Sequence, residues 1–274
     1  MEKDPGRVAA VEKIKEFERL GLFDKDVEID PPWTPLNPDK IDFLKKNLFN
    51  KLKSHIATFC GWRFFEKSLK KKVWIFKGVT GLENLTGFEG GALITCNHIS
   101  RYDNYAVHKA MRQHFGHYRL HKVVREGNYS FPGLIGFLLR NGDTIPVGDG
   151  HRFMVKFADA LKGLLKKNTK ILIYPEQGMW WNYRKPRPLK KGAFLFAAKL
   201  NAPIIPCFIT LNDSEYIGAD GFPVQEYTVN ILPIIRPDAG LDASENCKKM
   251  LERNFELWKD CFEKTYGIEL NYCE

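Results

Sequence analysis

His98 and Asp103 are the residues whose types and spacing best suit catalysis, because a histidine beside a carboxylate can act as a general base. They lie in the stretch ITCNHISRYDN, which closes an apolar run. The base takes a proton from a reacting group, and the carboxylate orients the ring and stabilises the imidazolium. Residues five apart on a continuous helix point about 140° from each other, so contact requires a turn between them. An ordinary surface pair is the alternative, and His121 and Glu126 repeat the spacing without supporting context.

A second polar group follows another predicted strand. The apolar run TKILIY ends in PEQG, which places Glu176 at the carboxyl end of a strand, the edge where ligands collect in an α/β sheet. The next segment, WWNYRKPRPLKKGAF, combines aromatic residues with five basic ones and leads into a helix rich in small residues. Cationic side chains and the N–H groups of a first helical turn suit a phosphate. A solvated basic loop is the alternative in a chain this basic.

The pattern of apolar runs from residue 73 onward predicts the elements that position these residues. Short strands alternate with helical patterns, which is typical of an α/β layered domain. The predicted strands cover residues 73–79, 91–96, 118–125, 143–147, 169–174, 203–210 and 226–235. The predicted helices cover residues 104–115, 131–140, 151–167, 190–200 and 243–265, the last opening with a capping box at Asp242 and Glu245. We therefore predict an α/β fold with a mixed, mostly parallel central sheet of about seven strands flanked by helices.

The first 72 residues are predicted to form an N-terminal helical extension, followed by an α/β domain at residues 73–274. Residues 6–20 carry apolar side chains at every third position and predict a helix, and four prolines between residues 31 and 38 predict an extended arm. A second helix is predicted from an apolar face formed by Ile41, Leu44, Leu48, Leu52, Ile56 and Phe59.

This second predicted helix is basic and has an aromatic end. Four lysines lie between its apolar positions, and three aromatic residues extend its apolar surface: Lys45, Lys46, Lys51, Lys53, Trp62, Phe64 and Phe65. The composition is typical of a segment that docks on an anionic membrane surface. An amphipathic helix packed on its own domain explains the periodicity equally well.

The charge of the chain is concentrated around the same helix. Residues 40–77 hold ten lysines and one arginine against two acidic residues, an excess equal to the net charge of +9. Such an excess favours an anionic partner, either a phospholipid membrane surface or a phosphorylated substrate. No aromatic and basic signature of an RNA-binding module is visible, so we do not expect nucleic acid to be the partner.

The sequence also bears on the compartment. No run of 18 or more apolar residues occurs, and the first residues lack the pattern of a secretory signal. We therefore expect a cytoplasmic protein attached peripherally to the inner face of a membrane, without a transmembrane helix. The six cysteines include no CxxC pair, and Cys96 and Cys207 lie in apolar runs, so neither a disulfide framework nor a zinc site is expected.

Taken in order along the chain, these motifs resemble those of the glycerolipid acyltransferase superfamily, which includes the glycerol-3-phosphate and lysophosphatidic acid acyltransferases. The resemblance covers roughly residues 75–212. NHxxxxD at residues 97–103 matches the first block of the family fully, and PIIPCFI at residues 203–209 matches the fourth well.

The other two blocks depart from the family pattern. Tyr174-Pro175-Glu176 matches the start of the third block, but Gln177 separates Glu176 from Gly178, where the family usually has Glu-Gly. In the second block, GDTIPVG at residues 142–148, Gly148 stands where the family often has an arginine that contacts phosphate.

The resemblance implies transfer of a fatty acyl group from an acyl thioester to a hydroxyl of a glycerophosphate or lysophospholipid. A 1-acylglycerol-3-phosphate is the acceptor it favours. His98 would be the general base and Asp103 its partner, and no serine or cysteine nucleophile would be needed. The donor would be acyl-CoA or an acylated acyl carrier protein. Neither a metal nor a redox cofactor is implied.

The resemblance also implies which residues bind substrate. Glu176 would orient the hydroxyls of the acceptor, and one of three cationic side chains would hold its phosphate. Backbone N–H groups near Gly178 or at the helix that opens near Gly192 would stabilise the charge that develops on the thioester oxygen. The substrate-binding set implied in this way is Asn97, Glu176, Gly178, Arg184, Arg187 and Lys190.

Two other classes of protein compete with this interpretation. A hydrolase on an α/β sheet needs a nucleophile elbow such as GxSxG, and the sequence lacks that motif. A basic, non-enzymatic protein that binds a membrane peripherally is the remaining alternative. It predicts salt-sensitive binding that does not depend on His98.

Overall fold

A seven-stranded sheet forms the centre of the molecule. The computed structural model describes residues 2–27 and 32–272. The strands, in chain order, are β1 (Ile75–Thr80), β2 (Ala92–Thr95), β3 (Leu120–Arg125), β4 (Thr144–Val147), β5 (Lys170–Ile173), β6 (Ile204–Ile217) and β7 (Pro223–Ile231). Their spatial order is β1-β7-β6-β2-β5-β3-β4. Among these pairs only β6 and β7 are antiparallel, so the predicted mixed, mostly parallel sheet is confirmed.

Helices flank the sheet and precede it, as predicted. They are α1 (Pro5–Arg19), α2 (Leu48–Lys70), α3 (Asp103–Phe115), α4 (Gly133–Asn141), α5 (His151–Leu165), α6 (Gly192–Lys199) and α7 (Ala243–Tyr266). The predicted capping box starts α7, where Asp242 accepts from the backbone N–H of Glu245. Within residues 2–27 and 32–272, no helix has the length and apolar character needed to cross a bilayer.

The core lies on both faces of the sheet. Leu93 and Ile94 of β2 are fully buried and point to opposite faces, as successive residues of a strand must. Ile94 packs in a cluster with residues of α3, and Leu93 packs in a second cluster with residues of α5, α6 and α7. Burial on both faces explains why β2 reads as an unbroken apolar run.

The second helix differs from its prediction at its start. It begins at Leu48, because the side chain of Asn47 accepts a hydrogen bond from the N–H of Phe49 at 2.8 Å and caps the helix there. Ile41 and Leu44 precede the helix and pack in the core beside α5. The predicted single apolar face from Ile41 to Phe59 is therefore wrong.

The first proline of the proline-rich arm, Pro31, lies outside the described residues. Cys273 also lies outside them. From residue 32 to Leu36 the arm is irregular, as predicted, and crosses the outside of the sheet domain. The N–H of Leu36 donates to the buried carboxylate of Glu126 at 2.8 Å. Glu126 is therefore occupied by the arm and forms no pair with His121.

Candidate active site

His98 and Asp103 are in direct contact at the carboxyl end of β2. Nδ1 of His98 lies 2.7 Å from Oδ2 of Asp103. β2 ends at Thr95 and α3 begins at Asp103, so the two side chains meet across the turn that their spacing required. Because an ionised carboxylate only accepts hydrogen bonds, Nδ1 is the donor, which leaves the lone pair of Nε2 to act as the base.

Asp103 is fixed by four hydrogen bonds in a fully buried position. Besides His98, the N–H groups of Ile99 and Ser100 donate to Oδ2 at 3.1 and 3.2 Å. The hydroxyl of Tyr174 donates to Oδ1 at 2.6 Å. Hydrogen bonds of this kind offset the cost of burying a carboxylate and fix its orientation toward the ring of His98.

Tyr174 completes the pair, a role that the sequence analysis did not assign. Its ring stacks on His98 with centroids 3.9 Å apart and 12° between the planes. Burial, together with the nearby charge of Asp103, raises the pKa of Tyr174, so its hydroxyl remains a hydrogen-bond donor. The signal that could have found it is its position directly after β5, the strand that pairs in parallel with β2.

Glu176 and Arg187 form a buried ion pair instead of the predicted contacts with substrate. Both side chains are 1% exposed, and Nη2 of Arg187 lies 2.9 Å from Oε2 of Glu176. Glu176 also accepts from the backbone N–H of Arg187 at 2.8 Å and from that of His98 at 3.0 Å. Their charged groups are thus satisfied inside the protein, where they hold the backbone of His98. Neither side chain lines the cavity beside His98, so the structure does not bring them to the place where the predicted contacts with hydroxyls and phosphate would be made.

Asn97 is likewise a structural residue. It is 1% exposed, and its side-chain amide donates to the carbonyl of Ile209 at 3.0 Å. Its oxygen accepts from the N–H of the same residue at 2.8 Å. This pair of bonds joins the end of β2 to β6, so the side-chain amide is engaged within the protein, and its contact with substrate stays a prediction.

Of the three cations predicted to hold a phosphate, only Lys190 lines the cavity beside His98. Arg184 pairs with Asp213 on the surface at 2.8 Å, outside the cavity lining, and Arg187 is buried against Glu176. Gly178 lines the cavity, but its N–H, a predicted donor to the thioester oxygen, already donates to the carbonyl of Glu176 at 3.0 Å.

The cavity itself is large and reaches from the turn that holds His98 to the space under α2 and α4. Its volume is about 1790 Å³, and His98, whose side chain is 23% exposed, lines it. Apolar and small residues form the walls away from the histidine, among them Ala57, Gly61 and Leu138. Charged residues also line it away from the histidine, among them Lys122 and Asp143. A cavity with both apolar walls and polar groups suits an amphipathic substrate.

The second histidine and acid pair is not brought together. His121 lies 3.9 Å from Asp143, and Glu126 binds the N-terminal arm. Burial lowers the pKa of His121 to about 4, so the ring is neutral at physiological pH. Neither His121 nor Glu126 lines the cavity.

The predicted membrane-docking residues divide into two groups. Lys46 and Lys51 are exposed, and Lys53 lies over the ring of Phe49 at 4.1 Å. Lys45 instead turns inward and donates to the carbonyl of Arg140 at 3.0 Å.

The aromatic end of α2 packs against α3 and the cavity. The rings of Trp62 and Phe65 lie 4.7 and 4.9 Å from that of Tyr105. Phe64 is half-buried and lines the cavity. These three side chains thus pack on the protein itself, and their docking on a membrane stays a prediction.

Large apolar side chains on the outer side of α2 are exposed instead. They are joined by two residues of α4, which packs against α2. We name this set the α2/α4 surface: Leu48, Phe49, Leu52, Ile56, Phe59, Leu134 and Ile135, all between 41% and 80% exposed. Contiguous exposed apolar surface with a basic border marks an interaction site.

Comparisons with known proteins address the family and the fold. A family model described as Acyltransferase matches residues 78–210. The crystal structure of PlsC, the 1-acyl-sn-glycerophosphate (LPA) acyltransferase from Thermotoga maritima, is similar, with a TM-score of 0.50 and 18% sequence identity. That match covers 84% of this chain and 100% of the other, and at this identity it supports the fold alone. Comparison with curated proteins gave no match.

Proposed function

This chain belongs to the glycerolipid acyltransferase superfamily, and we propose that it acylates a hydroxyl of a lysophospholipid or glycerophosphate, such as 1-acylglycerol-3-phosphate. The donor is an acyl thioester of coenzyme A or of acyl carrier protein. The observation that carries the proposal is the contact of 2.7 Å between His98 and the buried Asp103 at the edge of a large cavity. That geometry suits a general base and supplies no nucleophile of its own.

The proposed reaction is a direct attack of the acceptor on the thioester. Nε2 of His98 takes the hydroxyl proton while the oxygen forms its bond to the acyl carbon. Asp103 stabilises the imidazolium, since it already accepts a hydrogen bond from Nδ1–H of His98. The carbon–sulfur bond then breaks, and the departing thiolate receives the proton from the imidazolium.

The charge on the thioester oxygen needs hydrogen-bond donors, and the first turn of α6 is the better of the two predicted sources. The N–H of Gly178 is already engaged with Glu176. Gly192 and Ala193 open α6 and line the cavity, and the first N–H groups of a helix have no partner within it. We therefore assign the oxyanion to the start of α6.

We also propose that the protein docks peripherally on the cytoplasmic face of a phospholipid membrane through the α2/α4 surface. Leu52, Ile56 and Phe59 would enter the acyl boundary, and Lys46 and Lys51 would meet anionic head groups. Residues of the same two helices line the cavity. Docking would therefore bring the cavity near the membrane, which contains the acceptor lipid.

Reversing two lysine charges beside the α2/α4 surface should weaken membrane binding. In Lys46→Glu/Lys51→Glu, each change should cost about 1 kcal/mol of binding to anionic vesicles, because both residues are exposed near the docking surface. Cosedimentation with vesicles of mixed zwitterionic and anionic phospholipid measures the partition coefficient. The control is Lys166→Glu/Lys167→Glu, an equal charge change at the exposed end of α5. Equal weakening by both pairs would argue for a nonspecific effect of net charge.

A transfer assay tests the proposed reaction. Radiolabelled acyl-CoA and acylated acyl carrier protein are offered with glycerol-3-phosphate and a panel of lysophospholipids, and labelled lipid products are separated. We expect an ester product from at least one donor and acceptor pair. Vesicle binding with no ester product from any pair would favour the non-enzymatic alternative.

A further inference from the structure

The positions where the family pattern predicts cations for a phosphate do not supply free cations in this protein. A side chain at Gly148, where the family often has an arginine, has no room, because a Cβ there would lie 2.7 Å from the carboxyl carbon of Glu126 and 2.9 Å from the ring of Phe153. Arg184 and Arg187 are committed to Asp213 and Glu176. Two of the cations that line the cavity, Lys190 and Arg125, have acidic partners of their own.

Two ion pairs from one segment border the cavity. We name residues 22–27, which follow α1, the N-terminal strap. Asp24 of the strap lies 3.2 Å from Nζ of Lys190, and Asp26 accepts two hydrogen bonds from Arg125 at 2.7 and 3.2 Å. All four residues line the same cavity as His98.

The strap is fastened next to the catalytic turn. The carbonyl of Lys25, between the two aspartates, accepts from the indole N–H of Trp180 at 2.9 Å. The backbone N–H of Trp180 in turn donates to the carbonyl of His98 at 3.0 Å. Trp180 therefore links the strap to the backbone of His98, and the two ion pairs of the strap line the cavity that His98 also lines.

The charges of this end of the cavity fit a zwitterion better than a phosphate monoester. A monoester would draw Lys190 and Arg125 away from Asp24 and Asp26 and leave two carboxylates unpaired beside an anion. The pairs are 37% to 50% exposed, so exchange of their partners costs little. A head group with both a phosphodiester and an ammonium could satisfy all four side chains.

We propose that the acceptor is a lysophospholipid with a zwitterionic head group of the phosphoethanolamine class. Lys190 and Arg125 bind its phosphodiester, and Asp24 and Asp26 bind its ammonium. The inference rests on the proposed acyl transfer and replaces 1-acylglycerol-3-phosphate as the favoured acceptor.

Competing acceptors test the assignment. The full-length protein is assayed for kcat/KM with lysophosphatidylethanolamine and with lysophosphatidic acid of the same acyl chain. We expect the zwitterionic acceptor to be preferred by about tenfold, which lies within the range that two partly exposed ion pairs give. The variant Asp24→Asn/Asp26→Asn should lose that preference and gain activity toward lysophosphatidic acid. The control is Asp39→Asn, which breaks pairs with Lys156 and Arg152 outside the cavity and should leave the preference unchanged.

The outcomes distinguish failure of the head-group assignment from failure of the proposed acyl transfer. Preference for lysophosphatidic acid by the unaltered protein, or an unchanged preference in Asp24→Asn/Asp26→Asn, would overturn the head-group assignment while acyl transfer stands. Failure to acylate any acceptor would overturn acyl transfer and the assignment together.

Discussion

Replacing His98 by alanine should lower the rate of acyl transfer by about 10²- to 10⁴-fold, the range for loss of a general base. The side chain is partly exposed in the cavity, and its ring makes its polar contact with Asp103 alone among the described residues, so the fold should survive. Initial rates with a saturating acyl thioester and acceptor measure the loss, and circular dichroism checks the fold.

His151→Ala is the matched control for this experiment. His151 is exposed at the start of α5, on a helix that packs against the other face of the sheet from α3. Its replacement should leave the rate within about twofold, as for a surface change within about 0.5 kcal/mol. Equal losses in His98→Ala and His151→Ala would remove His98 from the mechanism.

Arg187→Ala should produce the largest loss of stability, about 3–5 kcal/mol in the free energy of unfolding, because it leaves the buried carboxylate of Glu176 without its counter-ion. Arg184→Ala is the control. It removes a guanidinium three residues away that pairs with Asp213 in solvent, and it should cost at most about 1 kcal/mol. Urea denaturation followed by tryptophan fluorescence measures both values.

A double variant separates loss of charge pairing from loss of packing. Glu176→Leu/Arg187→Met removes both charges and keeps most of the volume, so it should be less destabilised than Arg187→Ala. If Arg187→Ala and Arg184→Ala have similar unfolding free energies, the buried pair does not stabilise the loop that holds His98.

The contact between His98 and Asp103 could be predicted from sequence because its geometry is local. His98 and Asp103 belong to one turn, so spacing and the strand before them were sufficient. The function of Glu176 could not be predicted in the same way. Its position at the end of a strand was predicted correctly. Its partner Arg187 follows eleven residues later in a loop, and nothing in the sequence indicates that this loop folds back over Glu176.

The periodicity of α2 shows a second limit of the sequence pattern. A stripe of apolar residues predicts a helix but does not say which side packs. Here Ser54 and Ala57 face the protein, while Leu52, Ile56 and Phe59 face solvent. The polar inner side is explained by Asp143, which accepts from the hydroxyls of Ser54 and Thr58.

The position of the N-terminal strap beside the cavity could not be predicted from the sequence. Asp24 and Asp26 lie in a short acidic stretch without periodicity, and their partners are 166 and 99 residues away. Only the folded chain brings these aspartates to the cavity that His98 lines. Their position suggests that acceptor specificity depends on a segment outside residues 78–210, the part that matches the family.

The most direct test of the proposed chemistry is a single-turnover measurement of thiol release from an acyl thioester, with and without acceptor. Direct attack by the acceptor predicts that thiol appears only when acceptor is present, with one ester formed for each thiol and no increase in the mass of the protein. A burst of thiol without acceptor, together with an acyl group bound covalently to the chain, would contradict proton removal by His98 as the step that starts the reaction.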